Sequence, residues 1–200
     1  MNRDSTDQVS DHHFHHKPSE LLNFLPPNAQ VLIDVGCLNG STSYHYKRIN
    51  PQSFYWGILI NSELSSEITQ GLDQITLSSI DQLETIPLEL EEQTVDCLIY
   101  DGILPQIRNP LKVLQYHTRW LKDQGQVLAY IPNRQYWRNI INLLRGKSEN
   151  EVEENTDCQG LTLETIQKIF WEAGLYIYEI QTRGKKDDQF QNFLQLVETS

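Results

Sequence analysis

The 200-residue sequence predicts an α/β protein with a doubly wound, mostly parallel sheet. Four apolar runs carry this: "VLIDV" (31–35), "FYWGILI" (54–60), "DCLIY" (96–100) and "QVLAYI" (126–131). They are too continuous for strands with one wet face, and unbroken runs of this kind mark strands covered on both sides. Helical stretches separate them, and a glycine turn, "GCLNG", follows the first. In such sheets the ligand crevice lies at the carboxyl ends of the strands.

Residues 1–16 are polar and without a period, which predicts a mobile tail ahead of a single domain over 17–200. "PSELLNFL" offers Pro18 as a first helical position, puts Leu21, Leu22 and Leu25 on one face, and stops at Pro26-Pro27. After the first strand and turn, helices are expected at 41–49 and, beyond the second strand, at 61–70. "ITLS" (75–78) is a weaker strand. "PLKVLQYHTRWL" (110–121) spaces its apolar residues three and four apart, as a helix does, and "YWRNIINLLRG" (136–146) is a helix closed by Gly146. Residues 147–160 are acidic and aperiodic, a surface loop. "LTLETIQKIFWEAG" reads as a helix capped by Thr162 and ended by Gly174. "LYIYEIQTR" and "FQNFLQLVE" then flank "GKKDD" as a C-terminal antiparallel hairpin.

A hydrophobic fraction of 38% with 10% aromatic residues suits a packed core. The balance of 16 basic and 27 acidic residues gives a net charge of −11, which repels phosphate backbones and anionic membranes, so nucleic acid is not an expected partner. No apolar run reaches the length of a bilayer span and no apolar segment follows a basic N-terminus, so a cytoplasmic protein is expected. Cys37, Cys97 and Cys158 are odd in number and lack a CxxC spacing, which argues against a disulfide framework and a thiolate metal site. Cys37 and Cys97 read as small buried hydrophobes.

In "DHHFHHK", His12, His13, His15 and His16 raise metal binding or proton transfer, but a short histidine tract is a composition signal without a framework, and the favoured reading is a polar leader. No metal site is predicted. Arg134, Arg138, Arg145 and Lys147 could meet an anion, although a solvated helix face is the favoured reading.

Four segments resemble the class I S-adenosylmethionine-dependent methyltransferases. "VLIDVGCLNG" is similar to their first motif, an acidic residue followed by GxGxG, with Asp34, Gly36 and Gly40 matching. "NPLKVLQYHTRWLKDQGQVLAYIPN" is similar to their helix, turn and fifth strand. "YWRNIINLLRG" and "LTLETIQKIFWEAGL" resemble the distal part of small bacterial members found among glycan-biosynthesis enzymes. The resemblance implies a Rossmann-like sheet of seven strands ending in the hairpin. It also implies S-adenosylmethionine as cofactor, with Asp34 orienting its methionine end and Tyr130 and Asn133 bordering the substrate.

Against that pattern, several positions depart. Leu38 stands for the middle glycine; were a positive φ needed there, a leucine would cost about 1–2 kcal/mol of strain and its bulk would hinder close approach. Leu59 stands for the acidic residue that holds the ribose, and Ser79 for an aspartate that caps the adenine, with Asp81 two residues on. In "YDGILPQIRNP", Gly102 replaces an aspartate, and Pro105 and Gln106 replace a glutamate and a histidine. Asp157, Gln159 and Gly160 stand in place of a His-x-Arg-Phe segment. Losing the ribose and adenine contacts together removes about 3–6 kcal/mol, a factor of roughly 10²–10⁴ in affinity.

Three readings stay open. The first is a methyltransferase-like pseudoenzyme with weak or lost cofactor binding that takes a protein partner or a different small ligand, in glycan or cell-surface polymer biosynthesis. The second is an active methyltransferase with rearranged contacts, in which Asp34 keeps the methionine end, Asn61 or Glu63 reaches the ribose, and Asp81 or Asp101 the adenine or acceptor. The third is a structural subunit of a methyltransferase complex.

Overall fold

The computed structural model describes residues 19–38, 40–60, 71–86, 89–131 and 161–183, together with the backbone of a strand at 192–199; for residues 182 and 183 it likewise gives the backbone alone. The expected tail (1–16), the helices at 61–70 and 136–146, the loop at 147–160 and the "GKKDD" turn lie outside the described residues.

Strands β1 (Val31–Val35), β2 (Phe54–Ile60), β3 (Gln74–Ser78), β4 (Val95–Asp101) and β5 (Leu121–Ile131) are parallel and lie in the order β3-β2-β1-β4-β5. β7 (Asn192–Thr199) runs antiparallel between β5 and β6 (Leu175–Arg183), leaving β6 at the edge. Reversal of strand order around β1 and β4 opens the crevice that a doubly wound sheet places at its carboxyl edge.

Successive residues on each strand face opposite layers. Ile33, Val35, Trp56, Ile58, Leu98 and Tyr100 pack with Val113 and Leu114 of α2 (Pro110–His117) and Ile166 and Phe170 of α3 (Leu163–Glu172). Leu32, Tyr55, Cys97, Ile99 and Leu128 face the other way, onto Leu21, Leu25, Ala29 and Tyr46 of α1 (Ser41–Ile49). Cover on both faces explains the unbroken apolar runs. Asp34 and Asp101 share the second face with Leu32 and Ile99, at the ends of their strands.

Three elements differ from the sequence expectation. The lead helix is a 3-10 turn at Glu20–Phe24 that starts after its cap, Ser19, whose side chain accepts from the Leu21 N–H; Pro18 lies outside the described residues. Helix α2 ends at His117 and passes through a 3-10 turn at Thr118–Trp120. β5 begins five positions before the apolar run, because Leu121 pairs with Val95 and Gln126 with Cys97, which leaves a bulge around residues 122–125 with Gln124 at φ +66°.

Asp96 faces that bulge. Its carboxylate accepts from the N–H groups of Gln30 and Val31 at 2.8 and 2.9 Å and from Lys122 Nζ at 2.7 Å, so one side chain ties the start of β1 to the bulge. Partial burial opposes its charge, but these donors outweigh burial and hold its pKa below the usual carboxylate value. Asp96→Ala is expected to cost about 2 kcal/mol, since it strands two backbone donors and an ammonium. Urea denaturation measures this; an unchanged midpoint would mean that water replaces the carboxylate without loss.

Candidate functional site at the carboxyl ends of β1 and β4

The turn after β1 needs glycine at two places. Gly36 sits at φ +82° and Gly40, the residue before α1, at φ +66°. A Cβ on Gly36 would also stand 2.9 Å from Ile103 Cβ, so both sterics and backbone exclude other residues there. The N–H groups of Gly36 and Cys37 both donate to Ile58 O, which folds the turn over the end of β2.

At Leu38 the condition for strain, a positive φ, is not met. Among the described residues the non-glycine positions with positive φ are Gln93 and Gln124. The left-handed positions among the described residues of this turn are its two glycines, and the Leu38 side chain is 76% exposed at the rim.

Beside this turn lies a crevice of about 170 Å3 lined by Ser19, Asp34, Gly36, Cys37, Leu38, Gly40 and Asp101. Asp34 is only 5% exposed; its Oδ2 accepts a long 3.4 Å hydrogen bond from Tyr55, and its Oδ1 has no hydrogen-bond partner among the described residues. Burial, and then the charge of Asp101, push the Asp34 carboxyl up to about 7, against the opposing pull of the Cys37 thiol and Tyr55 hydroxyl. Burial also raises Asp101, while the Ser19 hydroxyl pulls it down. Ser19 is fixed by its own N–H, which donates to Thr42 Oγ1 at 3.0 Å.

The structure brings Asp34, Gly36, Leu38, Gly40 and Asp101 together. It adds Ser19 and Cys37, which sequence reasoning did not place in the site. A serine just ahead of "ELLNF" is a cap signal that could have located Ser19. Tyr130, half-buried on β5, has its phenol raised first by burial and then by the charges of Glu20 and Asp101.

Leu59 points elsewhere. It is fully buried and packs with Cys37, Leu72 and Ile75 beneath the turn. Ser79 starts a 3-10 turn at Ile80–Gln82, its N–H donating to Gln82 Oε1 at 3.3 Å, and Asp81 on that turn is exposed; neither lines the crevice. Gly102, at φ +72°, donates its N–H to Tyr130 O, and Gln106 Nε2 donates to Gly102 O across a short turn that buries Pro105. Asn61, Glu63, Asn133, Asp157, Gln159 and Gly160 lie outside the described residues. Among the described residues no three His, Cys, Asp or Glu side chains are grouped to hold a metal ion, and no helix is long and apolar enough to cross a membrane.

A five-stranded parallel core with its crevice at the β1 turn defines a Rossmann-like α/β protein of the S-adenosylmethionine-dependent methyltransferase fold. Solved structures bear this out. The chain superposes on a SAM-dependent methyltransferase from Aquifex aeolicus with a TM-score of 0.62 at 13% identity, covering 90% of this chain and 88% of that one. A putative methyltransferase from Haloferax volcanii in complex with its Trm112 activator gives 0.65 at 13% identity, over 86% and 82% of the two chains. Magnesium protoporphyrin IX methyltransferase from Synechocystis PCC 6803, solved with bound SAH, gives 0.62 at 14% identity, over 90% and 78%. No protein-family model and no curated protein matches the sequence.

The residues present fit the implied cofactor at one end and not at the other. An orphaned, buried Asp34 oxygen suits a cationic amino-acid end. At the end of β2, the side chain standing for the ribose acceptor is a leucine enclosed by apolar neighbours, and it offers no hydrogen-bond acceptor. Among the described residues, the position that the resemblance gives to the ribose acceptor therefore does not fit that part of the cofactor.

Proposed function

We propose that the chain is a cytoplasmic, non-catalytic relative of the methyltransferases that no longer uses S-adenosylmethionine and binds a different small ligand or a partner protein. Its distal segments resemble those of glycan-biosynthesis members, and a role in glycan or cell-surface polymer biosynthesis is part of the proposal. The burial of Leu59 against Cys37, Leu72 and Ile75 carries it. An active site could tolerate a missing contact, but a ribose anchor converted into core has been given a different task. Calorimetric titration with S-adenosylmethionine and S-adenosylhomocysteine is expected to give no binding tighter than about 1 mM, near −4 kcal/mol; a micromolar dissociation constant would overturn the proposal.

One observation favours a second reading, the subunit of a larger complex. Trp171 is 64% exposed and stacks edge-on against Tyr176 at 5.1 Å, with Tyr178 also exposed on the edge strand β6. The Haloferax volcanii neighbour is itself held by an activator protein. A strictly monomeric chain that co-purifies with nothing would weigh against this reading.

A further inference from the structure

Among the exposed large apolar side chains, Leu38, Ile49 and Leu77 belong to separate elements, whereas Trp171, Tyr176 and Tyr178 fall together where α3 turns into β6. Gly174, at φ +79°, makes that turn, and a Cβ there would meet nothing within 4 Å beyond its chain neighbours, so the turn stands in open space among the described residues. It folds the last turn of α3 back on the start of β6 and sets the Trp171 ring edge-on to Tyr176. Leu175 is buried and Ile177 packs on the same core, so alternation along the strand turns Tyr176 outward. The ladder to β7 then skips a position, Ile177 pairing with Val197 and Glu179 with Leu196, and this bulge leaves both Tyr178 and Glu179 exposed.

Carboxylates flank these rings. Glu172 follows Trp171 and is exposed; its contact with Lys168 Nζ, at 3.8 Å across one helical turn, is of the loose surface kind that contributes little. Glu179, also exposed, accepts from Gln181 Nε2 at 2.6 Å, which holds its carboxylate in place. Clustered aromatic rings left in water mark an interaction surface. Set beside carboxylates, they suit one kind of side chain, because a guanidinium stacks flat on an aromatic face while its planar fork donates to a carboxylate. A chain of net charge −11 also draws a basic partner toward it.

We infer that this surface docks an arginine-bearing segment of a partner protein, whose guanidinium groups stack on Trp171 and Tyr176 and donate to the Glu172 and Glu179 carboxylates. The inference rests on the reading of the chain as a subunit of a larger complex and names the chemistry of its partner. Lysine carries the same charge without the planar fork, so a lysine segment fits the surface less well. Citrulline keeps the planar shape and loses the charge.

Amide and indole chemical shifts of the full-length protein, followed during titration with the peptide acetyl-Gly-Arg-Val-Arg-Val-Gly-amide, test it. Position is read as well as affinity, because an acidic chain attracts any cation weakly. The expected result is saturable movement centred on the Trp171 indole N–H and the Tyr176 and Glu179 amides, which the same peptide with citrulline in place of arginine does not reproduce. Trp171→Ala is expected to weaken binding roughly tenfold and Glu172→Gln and Glu179→Gln about threefold each, while Trp171→Phe keeps most of the affinity. These side chains are exposed, so the variants keep the fold. No saturable movement up to about 5 mM, equal movement with the citrulline peptide, or unchanged affinity in Trp171→Ala would each overturn the inference. A protein that co-purifies with the wild-type chain and is held equally well by Trp171→Ala would also overturn it, and would leave the subunit reading standing. A chain that binds the peptide at this surface and co-purifies with nothing supports the inference and weighs against that reading.

Discussion

Asp34→Asn is expected to raise stability by about 4 kcal/mol at pH 8 and to change it little near pH 3. The folded Asp34 carboxyl titrates at about 7 and the unfolded one near 3.8, because burial and the Asp101 charge penalise ionisation in the fold. Between those two values the unfolded chain has released this proton and the folded chain has not. Stability present below 3.8 is therefore lost as pH rises to 7, and it stays lost above. The gap of about three units, at 1.36 kcal/mol each, sets the magnitude. Asparagine has the same shape and no charge, so it removes the penalty without opening a cavity. Thermal unfolding at pH 8 and pH 4 measures the difference; equal melting temperatures at pH 8 would show that Asp34 ionises there without penalty. A residue that weakens the empty fold and is kept in a crevice is the trade that binding sites make.

His117 is expected to impose the opposite slope. It is fully buried beneath Trp120; its Nδ1 accepts from the Tyr100 hydroxyl at 2.8 Å and its Nε2–H donates to Leu83 O at 2.9 Å. Burial is the main cause that brings its pKa down to about 4, with Arg119 adding to it and the Leu83 hydrogen bond opposing it. The folded imidazole is neutral where the unfolded one, near 6.5, takes up a proton. Its contribution is complete above 6.5 and falls away as pH drops to 4, by about 3 kcal/mol. His117→Gln removes that titration at a fixed packing cost. Between pH 4 and 6.5 the two groups nearly cancel, so the wild-type protein is expected to show a shallow pH dependence. Asp34→Asn should expose the acid limb, and His117→Gln the loss toward neutral pH. Parallel stability profiles for wild type and His117→Gln would refute the assignment.

The parallel core was legible because burial on both faces writes itself as unbroken apolar runs, and β1 and β2 match theirs residue for residue. β5 was read short because its first turn of chain, Lys122-Asp123-Gln124-Gly125, is a bulge, and its residues follow the left-handed geometry and the Asp96 contact rather than a strand period. Asp34, Gly36, Gly40 and Asp101 could be placed because they belong to strand ends and turns whose geometry is local. For Leu38 the motif could state only a condition, strain if φ is positive, and the condition is not met: the positive φ falls on Gly36 and Gly40 among the described residues of the turn. Ser19 reaches the crevice only through a contact with α1 formed on folding, which no local pattern records.

β7, placed between β5 and β6, has a consequence for the protein's birth. β6 is translated before its one strand neighbour in the described sheet, and β5 waits with one side unpaired through the making of α3 and β6. At roughly 5–20 residues per second, β7 is completed about one to three seconds after β6, whose outer face carries exposed tyrosines. The far end of the sheet is thus closed last, by the segment translated last among the described elements, and a pause in synthesis between residues 183 and 192 would leave two strands open to the wrong partner.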